Sequence, residues 1–270
     1  MSYPTHRLTG VGVAGCGRMG GPMLAALRAA NIHAMGYDIA PGDQPHVTHD
    51  ATAFAQPLET LISVVRDIPQ TEDVLFGVQN FATAPKLSTV IICSTLSPVY
   101  VRDLRDRMPK HISLIDAPMS GAQIAAQEAR LSFMLGGDEL SIDAAQPLFD
   151  AMGKHFHRMG KYGNGMQAKV LNNLLAASHT AMTRLVLDWA DEAELDSEKL
   201  LDLIHTSSGQ NWLASGFDNI EFARDGFADE NTIAILVKDV ASALDAAPGS
   251  ADLSLPKTIM NNLAALKPRK

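Results

Sequence analysis

The run Gly15-Cys16-Gly17-Arg18-Met19-Gly20 constrains this chain more than any other stretch. It comes after a short apolar segment at residues 10–14 that reads as a strand, and it precedes residues 22–30, which read as a helix. Between a strand and a helix, three glycines so spaced have separate duties. The first permits a tight turn, the second lets a pyrophosphate approach the backbone, and the third lets helix and strand pack closely. The helix then turns its first N–H groups toward the phosphates, where the macrodipole favours negative charge. Glycines of ordinary tight turns can produce the same string, so the weight rests on the next strand. This second apolar segment, residues 33–37, ends at Asp38, about 20 residues beyond the motif, where an acidic side chain accepts the ribose hydroxyls of adenosine. The same charge repels a 2′-phosphate, and residues 39–43 contain no arginine to receive one. NAD is therefore preferred over NADP.

The rest of the first half continues the pattern. Apolar runs at residues 61–65, 89–93, 112–115 and 131–135 alternate with helix-patterned segments such as 98–108, the signature of a parallel sheet covered on both faces. After residue 160 the texture changes: residues 166–194 contain neither proline nor glycine, and Ile233, Leu236, Val237, Val240 and Leu244 recur at helical spacing. The expected fold is α/β. A Rossmann-type doubly wound parallel sheet over residues 1–161 is followed by an all-helical domain over residues 162–270, serving substrate binding and dimerisation. A long apolar-rich helix must be covered on several sides, so a homodimer or homotetramer is expected.

Composition narrows the partners. With 46% apolar and 19% charged residues in 270, the chain has the balance of a globular protein. Its net charge of -8 opposes sequence-independent attraction to nucleic acid or to anionic lipid. No run of 18 apolar residues occurs, and the opening MSYPTHRLTG lacks the basic-then-apolar order of a signal peptide, so a cytoplasmic location is expected. Cys16 and Cys93 are too few for a disulfide framework or a thiolate zinc cage and read as small buried residues; a redox role for Cys16 would need exposure. The pair His46 and His49 has no third ligand nearby, and the pair His155 and His157 alternates across a strand, so no metal site is expected. Trp212, Phe217 and Phe222 read as core rather than pocket wall.

Four blocks together resemble the β-hydroxyacid dehydrogenase family, within the superfamily of the 6-phosphogluconate dehydrogenase NAD-binding domain. They are Gly15-x-Gly17-x-Met19-Gly20-x-x-Met23; Asp116-Ala-Pro-Met-Ser120-Gly121 followed by Gly136-Gly137; Gly163-x-Gly165-x-x-x-Lys169-x-x-Asn172-Asn173; and Lys238-Asp239-Val240. The resemblance spans nearly the whole chain. It implies that Ser120 and the Gly121 backbone hold the substrate carboxylate or hydroxyl and that Lys169 is the general acid/base. By the same resemblance Asn173 orients the substrate with Asn172 beside it, and Lys238 closes over nicotinamide and substrate. It also implies cofactor contacts from residues 15–20, Asp38, Val65, Arg66, Ser94 and Thr95. Two departures stand out. Ala122 occupies a position where the family commonly has glycine, adding a methyl at the substrate end, and Val65-Arg66-Asp67 replaces the family's usual Met-Leu-Pro.

The residues themselves suit that chemistry. Moving a hydride from an alcohol carbon leaves a hydroxyl proton that needs a base within hydrogen-bond reach. Lys169 serves if partly neutral; burial and a second cation such as Lys238 both disfavour its ammonium, toward the range of about 7–8 expected of a catalytic lysine. On a helix Lys169 and Asn173 stand at i and i+4, on one face. Against this, Lys169 could be a surface lysine, Ser120 a turn serine and Lys238 a solvated charge. The apolar neighbours Val170, Leu171, Leu174 and Leu175 argue for burial of Lys169. The expected activity is NAD-linked oxidation of a small β-hydroxy acid such as 3-hydroxyisobutyrate. The alternatives are reduction of an aldehyde acid such as tartronate semialdehyde, or an NAD(H)-binding interaction protein without catalysis. A related imine-reducing branch generally lacks the lysine.

Overall fold

The computed structural model describes residues 9–40 and 42–269. The segment before Thr9, on which the targeting expectation rests, lies outside them, as do Pro41 of the 39–43 loop and Lys270 of the basic tail. The described residues hold nine strands: β1 (Val11–Ala14), β2 (Ala34–Tyr37), β3 (Val47–Thr48), β4 (Thr60–Ser63), β5 (Thr89–Ile92), β6 (Ser113–Asp116), β7 (Met119–Ser120), β8 (Leu131–Gly136) and β9 (Gly153–Gly160). The α-helices are α1 (Gly20–Ala29), α2 (Ala51–Ala55), α3 (Ile68–Leu75), α4 (Pro98–Arg107), α5 (Ala122–Gln127), α6 (Glu139–Met152), α7 (Asn164–Glu192), α8 (Ser197–Thr206), α9 (Trp212–Ser215), α10 (Thr232–Asp245) and α11 (Ser254–Ala264).

The strands form one sheet in the order β3-β2-β1-β4-β5-β6-β8-β7, with β9 paired to β8. From β3 to β6 every pair is parallel. Order reverses between β1 and β4, the switch point outside whose strand ends ligands bind in such sheets. The six strands anticipated from apolar runs are present within a residue or two. The doubly wound parallel sheet expected from the sequence is present, and at one end it is extended by β8, which runs antiparallel to β6 and β7. A short connection through α5 suffices to reverse the chain there, whereas a parallel neighbour would need a full crossover. The two-residue strands β3 and β7 are too short to carry a periodic signal.

Alternate residues of the strands enter different cores, so both faces are covered. Val11, Val13, Ile62 and Ile91 pack with Met23 and Leu27 of α1 and with Phe149 of α6. Ala14, Leu61, Val90 and Ile92 pack on the other face with Phe54, Leu75 of α3 and Leu104 of α4. Helix starts carry the capping side chains that satisfy orphan N–H groups: Asp67 accepts from Gln70 N before α3, Ser97 from Val99 N before α4, and Asp138 from Ser141 N before α6. On β9, His155 and His157 share one face while Phe156 turns to the other, because strands repeat every two residues; the expectation that the two histidines alternate is corrected accordingly. Among the described residues no three His, Cys, Asp or Glu side chains come together as a metal cage.

The chain divides into two compact units, one ending at Lys169 and one running from Val170. The division falls within α7 rather than at residue 161, because Met166 in the first turn of that helix belongs to the core of the first unit. In the second unit Ala177 of α7 packs against Ile233, Leu236 and Val240 of α10 and Ile259 and Leu263 of α11. A second cluster holds Leu187, Leu213, Phe217 and Ala223. Arg184 is buried there, donating to the carbonyls of Ala223 at 3.0 Å, Asp225 at 2.7 Å and Lys267 at 2.6 Å. Among the described residues no helix is long and apolar enough to cross a membrane.

Candidate active site

The nucleotide loop comes directly after β1, and each of its glycines meets a different demand. Gly15 has φ +88°, a conformation open to glycine at little cost. A Cβ on Gly17 would meet nothing within 4 Å, so its backbone faces open space where a phosphate can approach. A Cβ on Gly20 would collide with the Gly15 carbonyl oxygen, so α1 can lie this close to β1 only without one. Asp38 stands just past β2 and turns back on the loop: its Oδ2 accepts from Cys16 N at 2.7 Å and its Oδ1 from Ala40 N at 2.8 Å. The Cys16 N–H is thus committed to Asp38. Its side chain is buried, and burial, with Asp38 nearby, pushes the thiol up to about 12. Met19 packs on the core beside α1, while Arg18 is exposed.

Other expected cofactor residues gather at the same strand ends. Val65 stands within 3.0 Å of where a Cβ on Gly15 would lie. Arg66 is exposed, its N–H donating to Gln70 Oε1 at 3.0 Å and its guanidinium 3.5 Å from Asp67. Beyond β5, Ser94 Oγ is buried with no hydrogen-bond partner among the described residues, and Thr95 beside it is half-buried. An orphaned hydroxyl beyond β5, and an open glycine backbone and a helix N-terminus beyond β1, all at the carboxyl ends of strands on either side of β4, fit a dinucleotide. His49, which the sequence suggests only as half of a metal pair, instead ties the neighbouring loop, its ring 2.8 Å from the Asp38 carbonyl and 3.2 Å from that of Gly42. Those acceptors favour its charged form and raise its pKa.

The catalytic candidates fall into two groups. In the first unit Lys169 is only 7% exposed, and its Nζ donates to Ser120 Oγ at 3.0 Å. Ser120 ends β7, and the next two residues have positive φ, +136° at Gly121 and +54° at Ala122. In the second unit Asn173 is buried; its Nδ2 donates to Asp239 at 2.5 Å, and its Oδ1 accepts from Asn172 at 3.3 Å. Lys238 Nζ lies 3.1 Å from the other oxygen of Asp239. The apolar neighbours of Lys169 are buried only in part. Val170 is buried, but Leu171 and Leu175 are 52% and 62% exposed, since they project from a different side of α7. Two motif residues to which the sequence assigns no role acquire one. Asp239 orients the Asn173 amide, and Asp116, fully buried at the end of β6, accepts from Gly163 N at 2.7 Å and Met166 N at 2.6 Å. The only sequence signal for either is an acidic residue inside a motif.

Residues 10–160 match the NAD binding domain of 6-phosphogluconate dehydrogenase, and residues 163–265 match the NAD-binding family of NADP-dependent 3-hydroxyisobutyrate dehydrogenase. The chain belongs to the β-hydroxyacid dehydrogenase family. It is 27% identical over 250 residues to L-threonate dehydrogenase of Pectobacterium atrosepticum, covering 88% of this chain and 81% of that one. To the mitochondrial 3-hydroxyisobutyrate dehydrogenase of Rattus norvegicus it is 28% identical over 256 residues, covering 88% and 76%. The solved structure of Mycobacterium tuberculosis 3-hydroxyisobutyrate dehydrogenase with L-serine superposes with a TM-score of 0.79 at 25% identity, covering 96% of both chains. This dehydrogenase is accordingly an NAD-binding oxidoreductase.

Proposed function

We propose that the dehydrogenase oxidises a small β-hydroxy carboxylic acid of the 3-hydroxyisobutyrate kind, with NAD preferred over NADP and Lys169 as general acid/base. The observation that carries this reading is the buried Lys169 Nζ held 3.0 Å from Ser120 Oγ, a proton acceptor paired with a hydroxyl that can hold the substrate. Oxidation breaks the C–H bond of the alcohol carbon and its O–H bond, leaving a carbonyl. Bound NAD supplies the acceptor for the hydride. Lys169 as the neutral amine takes the hydroxyl proton, and in the reductive direction its ammonium returns a proton to the forming alkoxide. Ser120 and the Gly121 N–H hold the substrate oxygens, with Ala122 limiting what fits beside them. Asn173, one turn further along α7, with Asn172 and Lys238, is assigned to substrate orientation; its amide, fixed by Asp239, supports that role. Asp38 supports the NAD preference, since a carboxylate just past β2 accepts ribose hydroxyls and repels a 2′-phosphate. The substrates for which two relatives are named, L-threonate and 3-hydroxyisobutyrate, are both small hydroxy carboxylates, which supports the substrate class. The apolar residues exposed along α7, among them Met182 and Trp189, support assembly as a homo-oligomer.

The test monitors absorbance of the reduced nicotinamide with NAD or NADP against a panel of 3-hydroxy acids and L-threonate, and with NADH or NADPH against the corresponding aldehyde acids. Turnover with NAD is expected on at least one acid, and Lys169→Ala should lower it by about 10²–10⁴-fold while nucleotide still binds. Unchanged turnover in Lys169→Ala would remove the lysine from the chemistry. Turnover only with aldehyde acids would favour the reductive reading of the same site.

A further inference from the structure

The segment from Asp116 to Ser120 touches α7 twice. Ser120 receives Lys169 Nζ, and nearer the helix start Asp116 receives the N–H groups of Gly163 and Met166. Gly163 occupies the N-cap position, since its carbonyl accepts the first helical bond from Gln167 N at 3.0 Å. It brings no capping side chain, and it could not easily bring one, because its φ is +90° and a Cβ there would meet Arg102 Cγ at 2.7 Å. The donors that a local Ser or Asp would satisfy in most helices go instead to a carboxylate 47 to 50 residues earlier in the chain.

We propose that Asp116 is a positioning residue of the catalytic pair: by capping α7 from β6 it sets the axial position and rotation of the helix that present Lys169 Nζ to Ser120 Oγ. This rests on the reading of Lys169 as the acid/base. A helix turns about 100° and rises about 1.5 Å with each residue, so a small slip at its start carries Lys169 away from Ser120. Two contacts between the same two segments, one at Asp116 and one at Ser120, suppress that slip. The room for the joint is made by glycines. A Cβ on Gly136 would collide with the Asp116 carboxylate, and one on Gly165 would collide with the Met134 carbonyl and come within 2.9 Å of the Asp116 carbonyl oxygen. Burial pushes the Asp116 carboxyl up and its two N–H partners pull it back, as befits a carboxylate whose solvent has been replaced by a helix N-terminus.

The decisive variant is Asp116→Asn, which keeps one acceptor oxygen and turns an amide NH2 toward the other N–H. It should lower kcat by about 10–100-fold, the range for a displacement near 1 Å, while KM for the acid and the affinity for NAD change by no more than a few-fold. In a Lys169→Ala background, assayed at high enzyme concentration, the same substitution should have no further effect. Backbone hydrogen exchange at Gly163 and Met166 should accelerate while that of α6 stays unchanged. An unaltered kcat overturns the proposal, as does an equal loss in the Lys169→Ala background or a uniform rise in exchange across the unit, which would mean general destabilisation. If the parent enzyme turns over no hydroxy acid, the functional reading has failed on its own account, and the exchange at Gly163 and Met166 alone decides whether Asp116 holds α7.

Discussion

Two alanines with positive φ flank α5, Ala122 at +54° at its start and Ala129 at +51° after it. For a residue with a Cβ the left-handed conformation costs roughly 1–2 kcal/mol. Replacing either by glycine removes that cost and introduces the extra backbone entropy that glycine loses on folding, about 0.5–1 kcal/mol. Ala122 is exposed, so deleting its methyl forfeits little burial. The balance predicts that Ala122→Gly stabilises by about 0.5–1 kcal/mol, a rise in Tm of about 1–4 °C for a chain of this size. Ala129→Gly should do much the same, since it lies past the end of α5 where glycine is the favoured residue. The two should differ in function. Ala122 adjoins Gly121 and Ser120, so its glycine variant should accept 3-hydroxy acids with bulkier 2-substituents, while Ala129→Gly leaves the substrate panel unaltered. Thermal melting by circular dichroism and kcat/KM over a graded series of acids measure both effects. A fall in Tm for both variants would refute the backbone argument, and an identical acid profile for Ala122→Gly would refute the placing of its methyl beside the substrate.

Individual contacts support three more expectations. Asp38→Ala removes a charged acceptor and should cut kcat/KM with NAD by about 10–100-fold, in line with about 1.5–3 kcal/mol for a hydrogen bond to a charged group; with NADP the loss should be smaller, and an equal loss with both nucleotides would count against Asp38 as the discriminating residue. Burial raises the thiols of both Cys16 and Cys93 to about 12, so neither should react with a thiol reagent at about pH 8 in the native protein and both should react after unfolding. Arg107 and Tyr100 hold the Glu72 carboxyl below its ordinary value of 4.5, so its contribution to stability is present above that pH and is lost as pH falls through the lower folded value. Glu72→Gln should therefore flatten the acid limb of a stability–pH curve below about pH 4.5, and an unchanged limb would show that the ion pair contributes nothing there.

The nucleotide half is legible in the sequence because its determinants are local. Apolar runs, the glycine motif and Asp38 sit within one βαβ unit, where spacing along the chain fixes spacing in space. Lys169, Ser120 and Asn173 are legible through motif resemblance, and the helical face of α7 explains why two of them stand one turn apart. How those groups are held is beyond the reach of the sequence alone. Asp116 reaches Met166 across 50 residues, Asn173 reaches Asp239 across 66, and Ser120 meets Lys169 across 49, all separations at which no local pattern reports contact. The antiparallel end of the sheet and the left-handed Ala122 belong to the same class, since strand partner and backbone conformation there answer to neighbours brought in by the tertiary structure. Periodicity and turn chemistry act over a few residues and select the elements; the buried hydrogen bonds between Asp116 and the start of α7 exist only once β6 and α7 have packed together, because burial makes an unsatisfied polar group costly.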